Sequence, residues 1–424
     1  MRVEDIRVPV ELATKRRISY SHQTDMNTKQ RRIFILVVGS LTAVGPFSID
    51  MYLPGFPAIA RDLQTDIAHV GLSLTSYFIG ISAGQLGYGP LVDRFGRKKP
   101  VIAGLLLYIA AAMGCGFSPT IHWLIAMRLL LALGGCVGIV AARAIVRDLF
   151  PVREVAKIFS TLMLVLGISP IIAPSVGAYV ASMYSWRYVF AVLGTIAAVI
   201  LVAVIWLLPE SRPADKSVSL HPVNMTRNYL RVLKEPAFLV YGVASAAASM
   251  GLFAYISDSP FVFMNLFGLS ERQFGLVFSM SACGVIGASQ LNRFWLRART
   301  STDISMTSVV VKCFVAVLLV AGSLTGVTAT TTIVMLFCYL ASIGLLSPNT
   351  TALAIEPFTT YAGTASALLG SMQMTAGALG SALVSWFHNG TSVPMTVLLM
   401  FSSFVSLGLQ MGYARTKKGV TQVR

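Results

Sequence analysis

The chain has 424 residues, of which 55% are hydrophobic and only 12% are charged, and its mean hydropathy is +0.73. This composition excludes a soluble globular protein and predicts an all-α membrane protein with many spans. The net charge of +16 does not indicate nucleic-acid binding, because the basic residues lie in short clusters between apolar runs.

The N-terminal segment 1–32 is polar and basic, and no apolar stretch precedes position 33. This pattern predicts a cytoplasmic tail and not a cleavable signal peptide. Met26 comes shortly before the basic group at 29–32, so translation starts at either Met1 or Met26.

Twelve apolar runs follow the tail. Each is long enough, at about 20 residues or more, to cross a bilayer core of roughly 30 Å. The runs lie near 33–60, 69–92, 100–118, 121–146, 156–182, 186–208, 237–264, 273–296, 304–326, 329–355, 361–387 and 393–413. They predict a six-helix bundle at 33–208, a central loop at 209–236, a second six-helix bundle at 237–413 and a C-terminal tail at 414–424.

Lysine and arginine collect on one side of these predicted spans. The other side has only Arg61, Arg187 and Arg272. Because cytoplasmic loops retain an excess of positive charge, both termini and the central loop are predicted to be cytoplasmic.

The two halves also show an internal repeat. The triplet 93–95, DRF, recurs as 292–294, NRF, and Pro151 recurs as Pro357. Secondary transporters use repeated halves to build alternating access around a site at the membrane midplane. A channel does not need such a repeat, so a transporter is favoured.

Asp50 is the most informative residue of the first run. It lies in the stretch 34–57, FILVVGSLTAVGPFSIDMYLPGFP, with no basic residue between positions 33 and 60. An acid within hydrocarbon costs about 3 kcal/mol and is usually a proton or cation carrier. The alternative is a residue at the outer headgroups, since Asp50 lies roughly 26 Å from Ile33 along a helix.

Arg128 is the second isolated charge, in the fourth run, 123–135, WLIAMRLLLALGG. A buried guanidinium keeps its proton and needs a counter-charge or water. Asp50 is the predicted counter-charge. The alternative is a structural arginine that extends towards the membrane interface.

A glycine-rich basic turn, 89–99, GPLVDRFGRKK, joins the second and third runs. Glycines permit a tight turn, Asp93 can cap a facing helix, and the arginines can pair with an acid, for which Asp148 is the candidate. The alternative is a simple basic cap. The predicted gating residues are Gly89, Asp93, Arg94, Gly96, Arg97 and Asp148.

With twelve spans and two halves, this turn resembles the gating motif of the major facilitator superfamily. Four further stretches are similar to the Bcr/CflA group of bacterial drug:proton antiporters, which are bicyclomycin- and chloramphenicol-resistance-like multidrug transporters. They are 48–54, SIDMYLP; 143–149, RAIVRDL; 253–261, FAYISDSPF; and 348–353, PNTTAL. The resemblance covers about 33–413 and implies the major facilitator fold.

The resemblance also implies roles for particular residues. Asp50 and Arg128 would couple transport to protons, although Leu131 stands where the family normally has Gln and Thr42 where some relatives have an acid. The segment 167–177, GISPIIAPSVG, is similar to the antiporter motif, with Ala173 in place of a glycine. Its predicted residues are Gly167, Pro170, Pro174 and Gly177, for which ordinary helix packing is the alternative.

Candidate substrate contacts lie in both halves. They are Met51, Phe253, Asp258, Gln290, Asn349, Met372 and Gln373. Asp258 either binds a cationic substrate or a proton within the membrane, or lies at the outer mouth.

The predicted function is proton-coupled export of drug-like amphipathic compounds across a bacterial inner membrane. The alternatives are a metabolite exporter or symporter and a non-transporting sensor. We predict no enzymatic activity, because the sequence has neither a P-loop nor a nucleophile–base pair. We expect a monomer in the lipid bilayer with no cofactor, no metal and no nucleic-acid partner.

Overall fold

The structure is a computed structural model that describes residues 28–150, 152–215, 222–358 and 362–422. The described residues form helices and connections without β-strands, and twelve spans are long and apolar enough to cross a membrane. The main helices of these spans are α1 (Thr28–Asp50), α2 (Ile67–Phe95), α3 (Lys98–Gly116), α4 (Ile121–Leu149), α5 (Val152–Met183), α6 (Trp186–Leu207), α7 (Pro236–Pro260), α8 (Glu271–Trp295), α9 (Ser301–Thr325), α10 (Ala329–Ile355), α11 (Ala362–Trp386) and α12 (Val393–Gln422). The all-α membrane fold is confirmed.

The first span is broken immediately after Asp50. A 3-10 turn, Leu53–Gly55, and a short helix, Phe56–Asp62, continue it. Pro54 has no N–H group to donate to the carbonyl of Asp50, so a regular helix cannot continue there. Asp50 therefore lies at a break inside the apolar span Gln30–Asp62.

The helices form two halves, α1–α6 and α7–α12. The halves meet where α2 packs against α11 and where α5 packs against α8. Three hydrogen bonds between side chains cross the first of these contacts: Thr75 to Ser381 at 2.9 Å, and Ser82 to Ser371 at 2.9 Å and to Thr375 at 2.7 Å.

The connection between the halves contains a helix that the sequence did not predict. This helix, Pro222–Leu233, occupies part of the predicted central loop. Its Val232 is buried and belongs to a small apolar cluster with Phe238 of α7 and Ala365 of α11. The helix was missed because its polar residues outweigh one narrow apolar face.

The halves are packed more closely at one end of the bundle than at the other. We call the end formed by Phe95, Lys98 and Leu149 the basic end, and the other the opposite end. Every residue of α2 from 73 to 78 is buried, whereas every residue from 86 to 91 is half-buried. A Cβ atom at Gly87 or Gly89 would meet nothing within 4 Å. The two bundles are therefore in close contact around residues 73–78 of α2, towards the opposite end. They are further apart around residues 86–91, towards the basic end.

Candidate functional site

Asp50 lies between the two halves, at the break in the first span. Its side chain is 4% exposed. It is within electrostatic range of Tyr77 in α2 and of Tyr255 in α7, which belongs to the other half. Asp50 lies 12 residues before the end of the apolar span Gln30–Asp62, and its role as an intramembrane acid stays a prediction.

Arg128 of α4 forms a hydrogen bond with the last turn of α1, the helix that ends at Asp50. The backbone N–H of Tyr52 bonds to the carbonyl of Ile49 at 3.3 Å, and so leaves the carbonyl of Ser48 without its usual helical donor. The Nη1 atom of Arg128 donates to that carbonyl at 2.8 Å. The break in α1 thus creates the acceptor to which Arg128 binds.

Two tyrosine rings enclose the guanidinium of Arg128. Its Cζ atom lies 4.3 Å from the ring centroid of Tyr52 and 4.4 Å from that of Tyr77. Such stacking stabilises a desolvated cation by about 2 kcal/mol. The hydroxyl of Tyr52 bonds to Ser73 at 2.8 Å, and the hydroxyl of Tyr108 to Ser48 at 2.5 Å.

The predicted ion pair between Arg128 and Asp50 is absent from this conformation. Among the described residues, no carboxylate lies within 4.0 Å of Arg128, and its Nε and Nη2 atoms have no hydrogen-bond partner. Arg128 is fully buried, so the alternative of an arginine that reaches the interface is also wrong. The aromatic faces and one carbonyl take the place of the expected counter-charge.

Asp258 lies near the end of α7 at the opposite end of the bundle. Its Oδ1 atom is 3.9 Å from Nδ1 of His388, and its buried Oδ2 atom has no hydrogen-bond partner. His388 packs edge-on against Phe261, which lines a cleft of about 360 Å³ together with Asp66. Asp258 therefore lies near the cleft at this end of the bundle.

Three of the predicted gating residues, Asp93, Arg97 and Asp148, contact one another at the turn. Nε of Arg97 donates to Asp148 at 2.7 Å, and Nη1 of the same residue donates to Asp93. Burial alone would lower the pKa of Arg97, but these two bonds raise it above its usual value. The expected pairing with Asp148 thus involves Arg97.

The acid that caps a helix at this turn is Glu210, which the sequence analysis missed. Gly96 adopts a φ of 84°, and the carboxylate of Glu210 accepts from the backbone N–H of Arg97 at 2.6 Å and of Lys98 at 3.3 Å. These N–H groups open α3, where a negative charge is favourable. Asp93, the predicted cap, instead bonds to Arg97.

The antiporter motif packs α5 against both the break and the other half. A Cβ atom at Gly177 would lie 2.1 Å from the carbonyl oxygen of Met51, so only glycine fits there. Gly167 faces Ile286, and the carbonyl of Pro174 faces Gly275, both in α8. Pro170 lies inside α5 between these contacts.

The predicted substrate contacts are not gathered at one place. Phe253 packs at a tilted angle against Phe78 of the other half, with ring centroids 4.4 Å apart. Asn349 is buried and donates to Asn292 within its own half, while Gln373 donates to Ser245. The remaining candidates are Met51, which is buried at the break, Met372, which packs near Gly242, and Gln290, which is exposed.

Comparison with known proteins gives the family. Residues 38–381 match the model of the Major Facilitator Superfamily. The uncharacterized MFS-type transporter YdgK of Bacillus subtilis is 32% identical over 92% of this chain and 98% of its own length. The bicyclomycin resistance protein homolog of Haemophilus influenzae is 30% identical, with 87% and 92% covered. The multidrug resistance protein MdtL of Escherichia coli is 29% identical, with 89% and 95% covered.

Solved structures agree in fold. A bacterial homolog of the human lysosomal transporter Spinster, in an inward-facing and unoccupied conformation, has a TM-score of 0.70 at 13% identity, with 91% of this chain and 95% of that chain covered. The D-xylose-proton symporter has a TM-score of 0.69 at 16% identity, with 90% and 96% covered. From the family match over most of its length and this likeness in fold, the chain belongs to the major facilitator superfamily of membrane transporters.

Proposed function

We propose that the protein is a proton-coupled antiporter that exports drugs or other small amphipathic compounds from the cytoplasm. The names of two relatives, a bicyclomycin resistance protein homolog and a multidrug resistance protein, support the substrate class. The observation on which the proposal rests is Asp50, an acid 4% exposed at a helix break between the halves. Acids inside membrane spans usually bind protons or cations.

The proposed setting is a bacterial inner membrane with both termini and the basic end in the cytoplasm. In that orientation the structure is inward-facing, because the halves separate towards the basic end. Rocking of the halves would close this end and open the opposite end, as in other transporters built from repeats.

In the proposed cycle, Asp50 binds a proton from outside when the opposite end is open, and substrate leaves on that side. The halves then rock, and Asp50 releases its proton to the cytoplasm. A carboxyl group that alternates between a buried and a hydrated position changes its proton affinity, and this change couples the two flows.

Arg128 supports this cycle by fixing the end of α1. Its bond to the carbonyl of Ser48 holds the chain two residues before Asp50. Because the guanidinium has no carboxylate partner in this state, it also provides positive charge that a deprotonated Asp50 can approach when the halves move. In this proposal Arg128 both positions the end of α1 and attracts the deprotonated carboxylate of Asp50.

The test uses everted membrane vesicles with a respiration-driven proton gradient and a panel of unrelated antibiotics and dyes. We expect several compounds to dissipate the gradient with the wild-type protein and none with Asp50→Asn. The control is Asp303→Asn, the same change at an exposed acid in the first turn of α9, where the amide oxygen can still accept a hydrogen bond from Thr300.

Three results would contradict the proposal in different ways. Full gradient-driven efflux in Asp50→Asn vesicles would remove Asp50 from the coupling mechanism. A response to one metabolite and to no drug would instead indicate a metabolite transporter. Binding without flux would indicate a sensor.

A further inference from the structure

Two arginines of α4 lie one turn apart near the basic end. Arg143 and Arg147 are both exposed, while the residues between them, Ala144 to Val146, are buried. Within the described residues, neither guanidinium has a hydrogen bond or an ion pair. Two unpaired cations on one helix face are unfavourable unless water or an anion balances them.

These arginines face the space between the halves. The Nη1 atom of Arg147 lies 3.7 Å from the position of a Cβ atom on Gly363, in the first turn of α11 in the other half. Arg143 is in electrostatic contact with Arg147 and with Cys136, which packs against Gly84 of α2. Arg143 lies roughly 9 Å inside the end of α4. Arg147 therefore lies at the boundary between the halves, and Arg143 lies one turn further inside the basic end.

Three acids of the described residues near this end of α4 bind other groups. Asp148 and Asp93 bind Arg97, and Glu210 accepts from the backbone that opens α3. Glu356, exposed at the end of α10, forms no ion pair with either arginine among the residues described. Among the described residues, no carboxylate balances the positive charge of the pair, which is therefore available to a mobile anion.

We propose that Arg143 and Arg147 form an anion site at the cytoplasmic entrance of the transport pathway, where they bind the acidic group of an amphipathic substrate. Guanidinium groups bind carboxylate, sulfonate and phosphate through charge-assisted hydrogen bonds. The substrate class is therefore amphipathic compounds that carry one such group. This inference rests on the proposed export function and refines its substrate class.

A phospholipid headgroup offers the same chemistry as an anionic substrate. A lipid would have to insert its headgroup between α4 and α11, whereas a soluble amphipathic anion reaches the site through water. The experiment therefore varies the probe and the lipid independently.

The test measures binding of dansyl-leucine, which has a free carboxylate, and of its neutral methyl ester. Full-length protein is placed in phosphatidylcholine nanodiscs, and dansyl fluorescence gives both affinities. Wild type is compared with Arg143→Gln, Arg147→Gln, Arg143→Lys and the control Arg272→Gln, which changes an exposed arginine at the opposite end. A second set of nanodiscs contains phosphatidylglycerol.

We expect each Gln variant to weaken binding of the carboxylate about tenfold or more, as loss of a charge-assisted hydrogen bond does. Binding of the ester should not change, and Arg143→Lys should retain part of the preference. The control should match wild type for both probes.

Four outcomes would overturn the anion site. The first is wild-type binding of the ester without preference for the carboxylate, and the second is an equal effect of the Gln variants on both probes. The third concerns the lipid. If phosphatidylglycerol competes with the probe in wild type but not in the Gln variants, and these variants bind the carboxylate normally in phosphatidylcholine, then the arginines bind a lipid. Binding of neither probe by wild type would count against the export function as well, so the two proposals fail distinguishably.

Discussion

The guanidinium of Arg128 donates to the carbonyl of Ser48 at 2.8 Å, a carbonyl that the helix break after Asp50 leaves open. This bond connects α4 to the segment that bears the intramembrane acid. Any movement of that segment must stretch or replace the bond, because the guanidinium is also held between two tyrosine rings. The position of Asp50 is therefore tied to the packing of α4.

Replacing Arg128 by Lys should weaken the protein and uncouple transport. A lysine ammonium is a compact charge that cannot lie flat between Tyr52 and Tyr77 while it also reaches Ser48. We expect a loss of about 2 kcal/mol in the free energy of unfolding, from weaker stacking and a lost hydrogen bond. The measurements are melting in detergent and proton-coupled efflux in vesicles, with Arg272→Lys as the control. An Arg128→Lys protein with unchanged melting and efflux would contradict the role of the guanidinium shape.

Two changes at Tyr52 separate its ring from its hydroxyl. Tyr52→Phe keeps the ring over Arg128 and loses the 2.8 Å bond to Ser73, so stability should fall by about 1 kcal/mol with efflux retained. Tyr52→Leu loses the aromatic face as well and should reduce both stability and efflux. Melting and vesicle efflux are measured side by side. Equal behaviour of the two variants would show that the ring over Arg128 contributes nothing.

The helix order and the break at Asp50 were predictable from local features of the sequence. Apolar length gives the spans, and Pro54 and Pro57 indicate the interruption of the first one. The pairing of a turn arginine with Asp148 was also predictable. The turn carries an excess of positive charge, and Asp148 is the acid at the nearby end of α4, so few other acids could pair with it. These inferences need only nearby residues or a charge count.

The partner of Arg128 was not predictable in the same way. Its acceptor is a backbone carbonyl that is free only because the helix is broken, and its aromatic neighbours come from two different spans. Glu210 was missed because it lies 113 positions from Arg97, and an acid after an apolar run normally indicates only a helix end. The substrate contacts stay predictions, because no pattern in one sequence identifies the faces that line a pathway.

Two Gly→Ala changes should have opposite effects on stability, one at the close contact between α5 and the break and one at an open position of α2. At Gly177 the new Cβ atom would meet the carbonyl of Met51 at 2.1 Å, so α5 must shift, at a cost of about 1–3 kcal/mol. At Gly87 the Cβ atom meets nothing within 4 Å, and alanine should stabilise α2 by up to about 1 kcal/mol through its higher helix propensity. Melting temperatures in detergent test the pair. If Gly177→Ala melted at or above wild type, the contact would not exist in the membrane.

Glu210 should stabilise the turn through its charge as well as its oxygen atoms. Glu210→Ala removes the acceptor for the N–H groups of Arg97 and Lys98 and should cost about 1–2 kcal/mol. Glu210→Gln keeps one acceptor oxygen and should lose about half of that, since the helix end favours a negative charge. Amide hydrogen exchange at Arg97 and Lys98 reports on these bonds directly. Wild-type protection in Glu210→Ala would show that other groups cap α3.

A reversible crosslink between the halves should stop transport. The hydroxyls of Thr75 and Ser381 are 2.9 Å apart across the contact between α2 and α11, at the end of the bundle where the halves are closed. In a variant whose native cysteines are replaced by serine, Thr75→Cys with Ser381→Cys should form a disulfide on oxidation, because the side chains already meet. The oxidised protein should bind ligand from the basic end but show no efflux, since a disulfide prevents the opposite end from opening, and reduction should restore efflux. Thr75→Cys alone serves as the control and should be insensitive to oxidant. Undiminished efflux by the fully crosslinked protein would mean that the halves need not separate at this contact, and would exclude the rocking mechanism.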